Sequence, residues 1–347
     1  MSSIIDQIAR ELNISNASVS RALNDRPGVG ADLRGRILQR ARELKYAPSI
    51  TARGLVTSQT FGIGFFVREK PGISMHSDPF YGEILHGVEQ ALATTEYHVT
   101  VATLTRDILA APLDFRFVRE RRIDGMILAG PDIPSEAIMA LLQSQIPLAL
   151  VDNCLNHSLV TCVNSDDEGG AYLAARHLLD LGHREIGALS GPEAWSSNAR
   201  RVAGYRRALA EAGLSLSIAH ADRTTIESGA EAYRRLIAQH PALTAICAVN
   251  DAMALGALRT AQESGKSVPA DLSIVGFDDI PLASLNEPQL TTIRVPKQQM
   301  GAEVAQRMVA TLNNPDLVPV EVLVSVELVK RSSTDGRGGT HQKRGAR

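Results

Sequence analysis

The chain has 347 residues, 44% hydrophobic and 21% charged, with a net charge of -2. That length supports two or three folding units, each with its own core, and the composition excludes a disordered or fibrous chain. No apolar run approaches the roughly 18 residues of a membrane helix, and Met1–Asp6 lacks the basic start and apolar stretch of a signal peptide. The sequence therefore predicts a cytoplasmic protein with no membrane partner. Charge is unevenly placed: residues 1–60 carry nine Lys and Arg against five Asp and Glu, and residues 330–347 six against one, above an acidic middle. A basic end on an acidic body fits a protein that meets a polyanion at one end only. Cys154, Cys162 and Cys247 lie in apolar surroundings and read as buried free thiols.

Ser3 can cap a first helix in which Ile4, Ile5, Ile8, Ala9 and Leu12 form one apolar stripe. Asn13 tolerates the left-handed conformation of a tight turn. Ser15 caps a second helix, Asn16 to Leu23, with Val19, Ala22 and Leu23 inward and Asn16, Ala17, Ser20 and Arg21 outward. Asn24 to Gly28 is a loop by composition. A third helix follows from about Asp32 to Leu44, with Leu33, Ile37, Leu38, Ala41 and Leu44 facing in. Two short helices separated by a tight turn and braced by a third make a helix-turn-helix unit, whose second helix can enter a major groove.

The strings Ile5-Asp6-Gln7-Ile8-Ala9 and Ile14-Ser15-Asn16-Ala17-Ser18-Val19-Ser20-Arg21-Ala22-Leu23-Asn24 closely resemble the headpiece of the lactose-repressor/galactose-repressor family of bacterial transcription regulators. The resemblance implies that Asn16, Ala17 and Arg21 read bases. It implies that Ser15, Ser20 and Asn24 hold phosphates, and it adds Ile5 to the DNA-facing set. Gly30 and Leu33 depart from the family's usual Ser and Thr, which weakens a helix cap and a phosphate contact.

Ala47 to Ser58 then link head to body. Residues 50–56 are too few for a stable isolated helix, and Gly54 weakens them further, so the segment should fold only against a partner. By the resemblance, two such hinge helices pair in a homodimer and press into the minor groove of a pseudo-palindromic operator duplex. Leu55 is then the wedge and Ala52 the small contact residue.

From Phe61 onward strands and helices alternate. Strands are expected at 62–67, 99–102, 123–129, 147–151, 186–189, 245–249 and 272–276, with helices at 81–92, 135–143, 169–181, 198–212, 227–238 and 252–264. This pattern predicts two successive parallel α/β layers, whose ligand sites lie beyond the carboxyl ends of the strands. The strings Leu181-Gly182-His183-Arg184, Arg201-Val202-Ala203-Gly204-Tyr205, Asn250-Asp251-Ala252-Met253-Ala254-Leu255-Gly256 and Val275-Gly276-Phe277-Asp278-Asp279 extend the resemblance over nearly the whole body. The fold implied is an α-helical helix-turn-helix headpiece on a two-lobed α/β sensor domain of the periplasmic-binding-protein type (type I). The expected division is 1–46 headpiece, 47–60 hinge, 61–330 sensor and 331–347 disordered tail. Within the sensor, the first lobe takes 61–165 and 294–322, and the second 166–293 and 323–330.

The resemblance implies a small, sugar-like effector held by Arg201, Asn250 and Asp278. The chemistry suits a polyol: an ionised Asp accepts from two hydroxyls, Arg donates in a fixed fork, and Asn does both. Helix capping and loop hydrogen bonding are competing expectations for Asn250 and Asp278, as is a surface helix charge for Arg201. Phe80 or Tyr81 is a candidate for stacking on a ring face, against core packing. Trp195, the only tryptophan, is a candidate platform or lid.

No nucleophile turn, phosphate loop or His/Cys metal spacing stands out, so neither an enzyme nor a metal or other cofactor is expected. His177 and His183 read as core or surface histidines. The tail shows no leucine heptad, which favours a dimer. The expected function is a sequence-specific transcriptional repressor controlled by a sugar or sugar derivative. The alternatives are a solute-binding protein of the sugar-transport type, or a co-repressed or effector-activated regulator answering to a non-sugar metabolite.

Overall fold

The computed structural model describes residues 4–23, 26–46, 59–70, 78–155 and 159–336. The expected DNA contacts Asn24, Ala52 and Leu55, the hinge segment 47–58 and the cap Ser3 lie outside the described residues, as does the end of the chain after Gly336.

Three helices form the headpiece: α1 Ile4–Leu12, α2 Asn16–Leu23 and α3 Ala31–Glu43. Ile8, Val19 and Ile37, one from each helix, are fully buried and meet with Ala9, Ala22 and Ala41. Asn13 takes the left-handed conformation at φ 52°, which turns the chain between α1 and α2. The Ser15 hydroxyl accepts from the Ser18 amide at 3.2 Å and so caps α2. Gly30 stands at the N-cap of α3 with no side chain to offer a bond. Arg40 of α3 pairs with Glu11 of α1, which clamps the two helices together.

The body contains two six-stranded sheets. The first runs in the order β2-β1-β3-β4-β5-β11, from β1 Gly62–Arg68, β2 His98–Leu104, β3 Gly125–Ala129, β4 Leu148–Val151, β5 Thr161–Ser165 and β11 Glu321–Val324. The second runs β7-β6-β8-β9-β10-β12, from β6 Ile186–Ser190, β7 Ser217–His220, β8 Ala245–Ala248, β9 Ser273–Asp278, β10 Thr291–Arg294 and β12 Glu327–Val329. Every described pairing is parallel except that of β10 with β12. The central strands are buried along their whole length because helices cover both faces, which explains their unbroken apolar runs.

The helices of the body are α4 Tyr81–Leu92, α5 Arg106–Ala110, α6 Arg116–Arg119, α7 Ser135–Leu142, α8 Asp167–Asp180, α9 Ser196–Glu211, α10 Ile226–Gln239, α11 Asp251–Glu263, α12 Pro281–Leu285 and α13 Lys297–Asn313. α13 packs on α4, and Gly87 and Gly301 let the two backbones touch; a Cβ at either would strike a carbonyl of the other helix. The chain thus leaves the first lobe after β5, returns with α13, and crosses again between β11 and β12.

Two expected boundaries move. Leu323 and Val324 pair with Asn164 and Ser165 in the first sheet, and Arg294 pairs with Asp278 and Glu327 in the second, so the crossings fall at 295–296 and 325–326. The expectation of disorder from residue 331 is corrected for 331–336. Ser333 is fully buried; its carbonyl accepts from the Ile274 amide at 2.9 Å, its amide donates to Gln289, and its hydroxyl donates to the Ile274 carbonyl at 2.6 Å. His177 pairs with Thr334, and His183 with the Asp335 carbonyl. A segment held by main-chain bonds and hydroxyls has no apolar periodicity for sequence reasoning to find.

Candidate functional site

On the headpiece, Ser15, Asn16, Ala17, Ser20 and Arg21 are all exposed, on the face of α2 opposite the buried Val19 and Ala22. Ile5 is half-buried against the headpiece core. The outward set offers one guanidinium, hydroxyls, an amide and a methyl. These groups suit phosphates and base edges in a major groove.

In the body, the polar residues gather where the two sheets end. Arg201, on α9, is 5% exposed and sits at the centre. Its Nε donates to Asp167 Oδ1 at 2.8 Å, and its Nη1 donates to the Val249 carbonyl and to Asp278 Oδ1, the latter at 3.2 Å. Its guanidinium lies 3.8 Å from the centroid of the Phe277 ring. Asp278 ends β9 in a positive-φ conformation, φ 109°, and Asp279 follows at φ 51°. The backbone turns sharply there and presents the Asp278 carboxylate to Arg201.

Lys297, the first residue of α13, is buried beside this turn. Its Nζ donates to the Asp278 carbonyl at 2.6 Å and to the Asp279 carbonyl at 3.2 Å. Arg294 and Arg331 both grip the Asp279 carboxylate. The Asp278–Asp279 turn is therefore tied to both the crossing segment and the C-terminal segment.

Asp152, just past β4, brings a carboxylate from the first lobe into the same cluster. It is buried, and the Tyr81 hydroxyl donates to it at 2.7 Å. Burial pushes its pKa up to about 7, with the Asp167 charge adding to the rise and Arg201 opposing it. Burial likewise raises Asp278 to about 6, against the pull of Arg201 and Lys297. Burial works against the charge on Arg201, but Asp167, Asp278 and Asp152 outweigh it and raise its pKa above the ordinary value. Two buried carboxylates, Asp167 and Asp278, bond the guanidinium and Asp152 lies close enough to act on it by charge, so the cluster has more acceptors than donors.

The remaining candidates are placed differently. Asn250 caps α11: its Oδ1 accepts from the Met253 amide at 2.9 Å and its Nδ2 donates to the Thr224 carbonyl at 3.0 Å. Phe80 and Tyr81 pack edge-to-face, 5.2 Å apart, in the first-lobe core; of the pair, only the Tyr81 hydroxyl reaches the cluster. Trp195 is half-buried at the N-cap of α9. Asp152 and Asp167 join this cluster although the sequence reading did not single them out. Asp152 ends an apolar strand run, the position where parallel sheets put ligand contacts, and that was its available signal. At two further strand ends, Asn164 Nδ2 and Ser190 Oγ are buried with no hydrogen-bond partner among the described residues. Among the described residues no helix is long and apolar enough to cross a membrane.

Known proteins share the headpiece and the two-sheet body. Residues 4–49 match the family described as bacterial regulatory proteins, lacI family, and residues 175–334 match a periplasmic binding protein-like domain. The chain is 32% identical to the catabolite control protein A of Priestia megaterium over 93% of its own length and 96% of that protein's. It superposes with a TM-score of 0.78 on the lac repressor dimer bound to operator and the anti-inducer ONPF, at 27% identity, covering 96% of this chain and 99% of that one. A complex of the transcriptional regulator CelR with cellobiose gives a TM-score of 0.72 at 27% identity, covering 96% of this chain and all of that one. Headpiece, two-sheet body and full-length similarity agree, and the chain belongs to the lacI family of bacterial regulatory proteins.

Proposed function

We propose that this protein is a homodimeric, operator-binding repressor of the bacterial cytoplasm whose DNA affinity is set by a sugar or sugar derivative bound between the two lobes. The observation that carries the effector side is the buried cluster of Asp152, Asp167, Arg201 and Asp278 at the facing strand ends. It offers carboxylates that accept from hydroxyls and a guanidinium fixed in orientation, which is polyol chemistry. Asn164 Nδ2 and Ser190 Oγ add buried polar groups that gain from a polar ligand, since an unpaired buried group costs about 1–3 kcal/mol. The CelR complex with cellobiose and the lac repressor bound to ONPF give this reading its ligand class, and the latter's operator-bound dimer gives its assembly.

Arg201, Asp278, Asp152 and Asp167 form the effector set, with Asn250 shaping the rim through its cap. On the headpiece, Asn16, Ala17 and Arg21 read bases while Ser15 and Ser20 hold phosphates. Residues 1–46 are the DNA-binding unit, 47–60 the hinge and 61–336 the sensor. Each lobe arrangement has its own affinity for the effector, and that difference drives the change at the operator.

A thermal-shift screen of the full chain against sugars, sugar phosphates, nucleobases and small acids tests the reading. A specific rise in melting temperature with a sugar is expected. A rise with a nucleobase or acid alone overturns the sugar assignment.

A further inference from the structure

The headpiece contains a side-chain contact that the family reading leaves unused. Asn16 Nδ2 donates to Asp6 Oδ1 at 2.6 Å. The contact joins the first residue of α2 to the first turn of α1. A carboxylate oxygen can only accept, so this bond fixes which end of the Asn16 amide faces Asp6. The opposite end, Oδ1, accepts no hydrogen bond among the described residues, and the side chain is exposed.

We propose that Asp6 is a specificity-positioning residue: by holding the Asn16 amide nitrogen, it presents the Asn16 carbonyl oxygen to the operator and selects a base with an amino donor. The inference rests on the operator-binding reading above. In the major groove, cytosine N4 and adenine N6 carry hydrogen-bond donors. Guanine presents N7 and O6, and thymine presents O4, all acceptors. An outward carbonyl oxygen therefore pairs with cytosine or adenine and faces lone pairs at guanine or thymine. Without Asp6 the amide can turn over, and its nitrogen can then donate to guanine or thymine. Asp6 itself need touch no base. Arg10 Nε also donates to the Asp6 main-chain carbonyl at 3.2 Å.

The test selects operators from a randomised pool of duplex DNA with the full-length protein. The position facing residue 16 is the symmetry-related pair whose base preference disappears in Asn16→Ala. The wild type should prefer cytosine or adenine there, on the order of tenfold over guanine and thymine. Asp6→Ala should bring guanine or thymine to within about threefold at that pair and leave the other positions unchanged. Asp6→Asn keeps the size but adds a donor, so it should relax the preference partly, and it covers the case in which loss of the side chain's bulk unsettles α1. In the Asn16→Ala background, Asp6→Ala should change nothing further at that pair. A wild-type preference for guanine or thymine overturns the proposal. So does a uniform loss of affinity at all positions in both Asp6 variants, or an Asp6 effect that persists without Asn16. No enrichment by the wild type overturns the operator-binding reading, and this proposal with it. Enrichment with no position that depends on Asn16 overturns this proposal alone.

Discussion

Arg201→Ala should destabilise the body more than any other single change in the cluster. The side chain is almost wholly buried, and it bonds Asp167, Asp278 and the Val249 carbonyl while stacking on Phe277. Removing it leaves the carboxylates of Asp152, Asp167 and Asp278 crowded with no guanidinium among them. Breaking a buried pair from one side costs about 3–5 kcal/mol. At roughly 2–4 °C per kcal/mol for a domain of this size, the melting temperature should fall by about 6–20 °C. The loss should also depend on pH. With Arg201 gone, the folded-state pKa values of Asp278 and Asp152 rise further, since Arg201 opposes both rises, and a raised folded pKa gives stability below it that is lost as pH climbs through it. The deficit against wild type is therefore larger at pH 8 than at pH 5. Calorimetry of wild type and variant at the two pH values checks both points. A melting temperature within about 2 °C of wild type at pH 8, or a deficit larger at pH 5, refutes the reasoning.

Asp152→Asn should gain stability relative to wild type as pH rises. The folded pKa of about 7 lies above the ordinary carboxylate value, so the contribution of Asp152 is present at low pH and lost through neutrality, and Asn removes that loss. Urea unfolding at pH 5 and 8 measures the difference, and a variant that loses ground as pH rises contradicts it. Effector binding to the wild type should strengthen as pH rises through 6 to 7, because ionised Asp278 and Asp152 accept more hydroxyls; calorimetric titration reads this, and tighter binding at pH 5 speaks against it. Arg21→Ala, at an exposed position, should lower operator affinity at least about tenfold with the melting temperature unchanged; unaltered gel-shift affinity rules out the headpiece assignment. Ending the chain after Lys330 rather than after Gly336 removes the Ser333 bonds and the Arg331–Asp279 pair and should cost roughly 2–5 kcal/mol. Equal melting temperatures for the two truncations contradict the placement of 331–336.

The sequence carried some features openly because they arise from local chemistry. Ser15 and Asn13 mark the ends of the turn between α1 and α2, and the short apolar runs at 125–129 and 148–151 have the length and composition of strands buried on both faces, which they are. The edge strands were harder to see. Ser217–His220 and Glu321–Val324 are short and half-exposed, so they lack the unbroken apolar run of the central strands. The cluster was half legible. Arg201 and Asp278 stood out as candidates, but nothing local says that Asp152, just past β4, and Asp167, the first residue of α8, meet them; that takes the tertiary fold. Phe80 and Tyr81 were open between stacking on a ligand and core packing, and in the folded body they pack edge-to-face in the first-lobe core. Asn16 read as a base contact on α2, while its bond to Asp6 depends on the angle between two helices, which residue spacing does not reveal.

The most direct test is operator binding by the full-length protein, followed by fluorescence anisotropy of a selected duplex at fixed salt, with and without the sugar identified by thermal shift. The sugar should change operator affinity by tenfold or more in the wild type and not in Asp278→Asn, whose headpiece is intact. A sugar that binds the body and leaves operator affinity unchanged would contradict that.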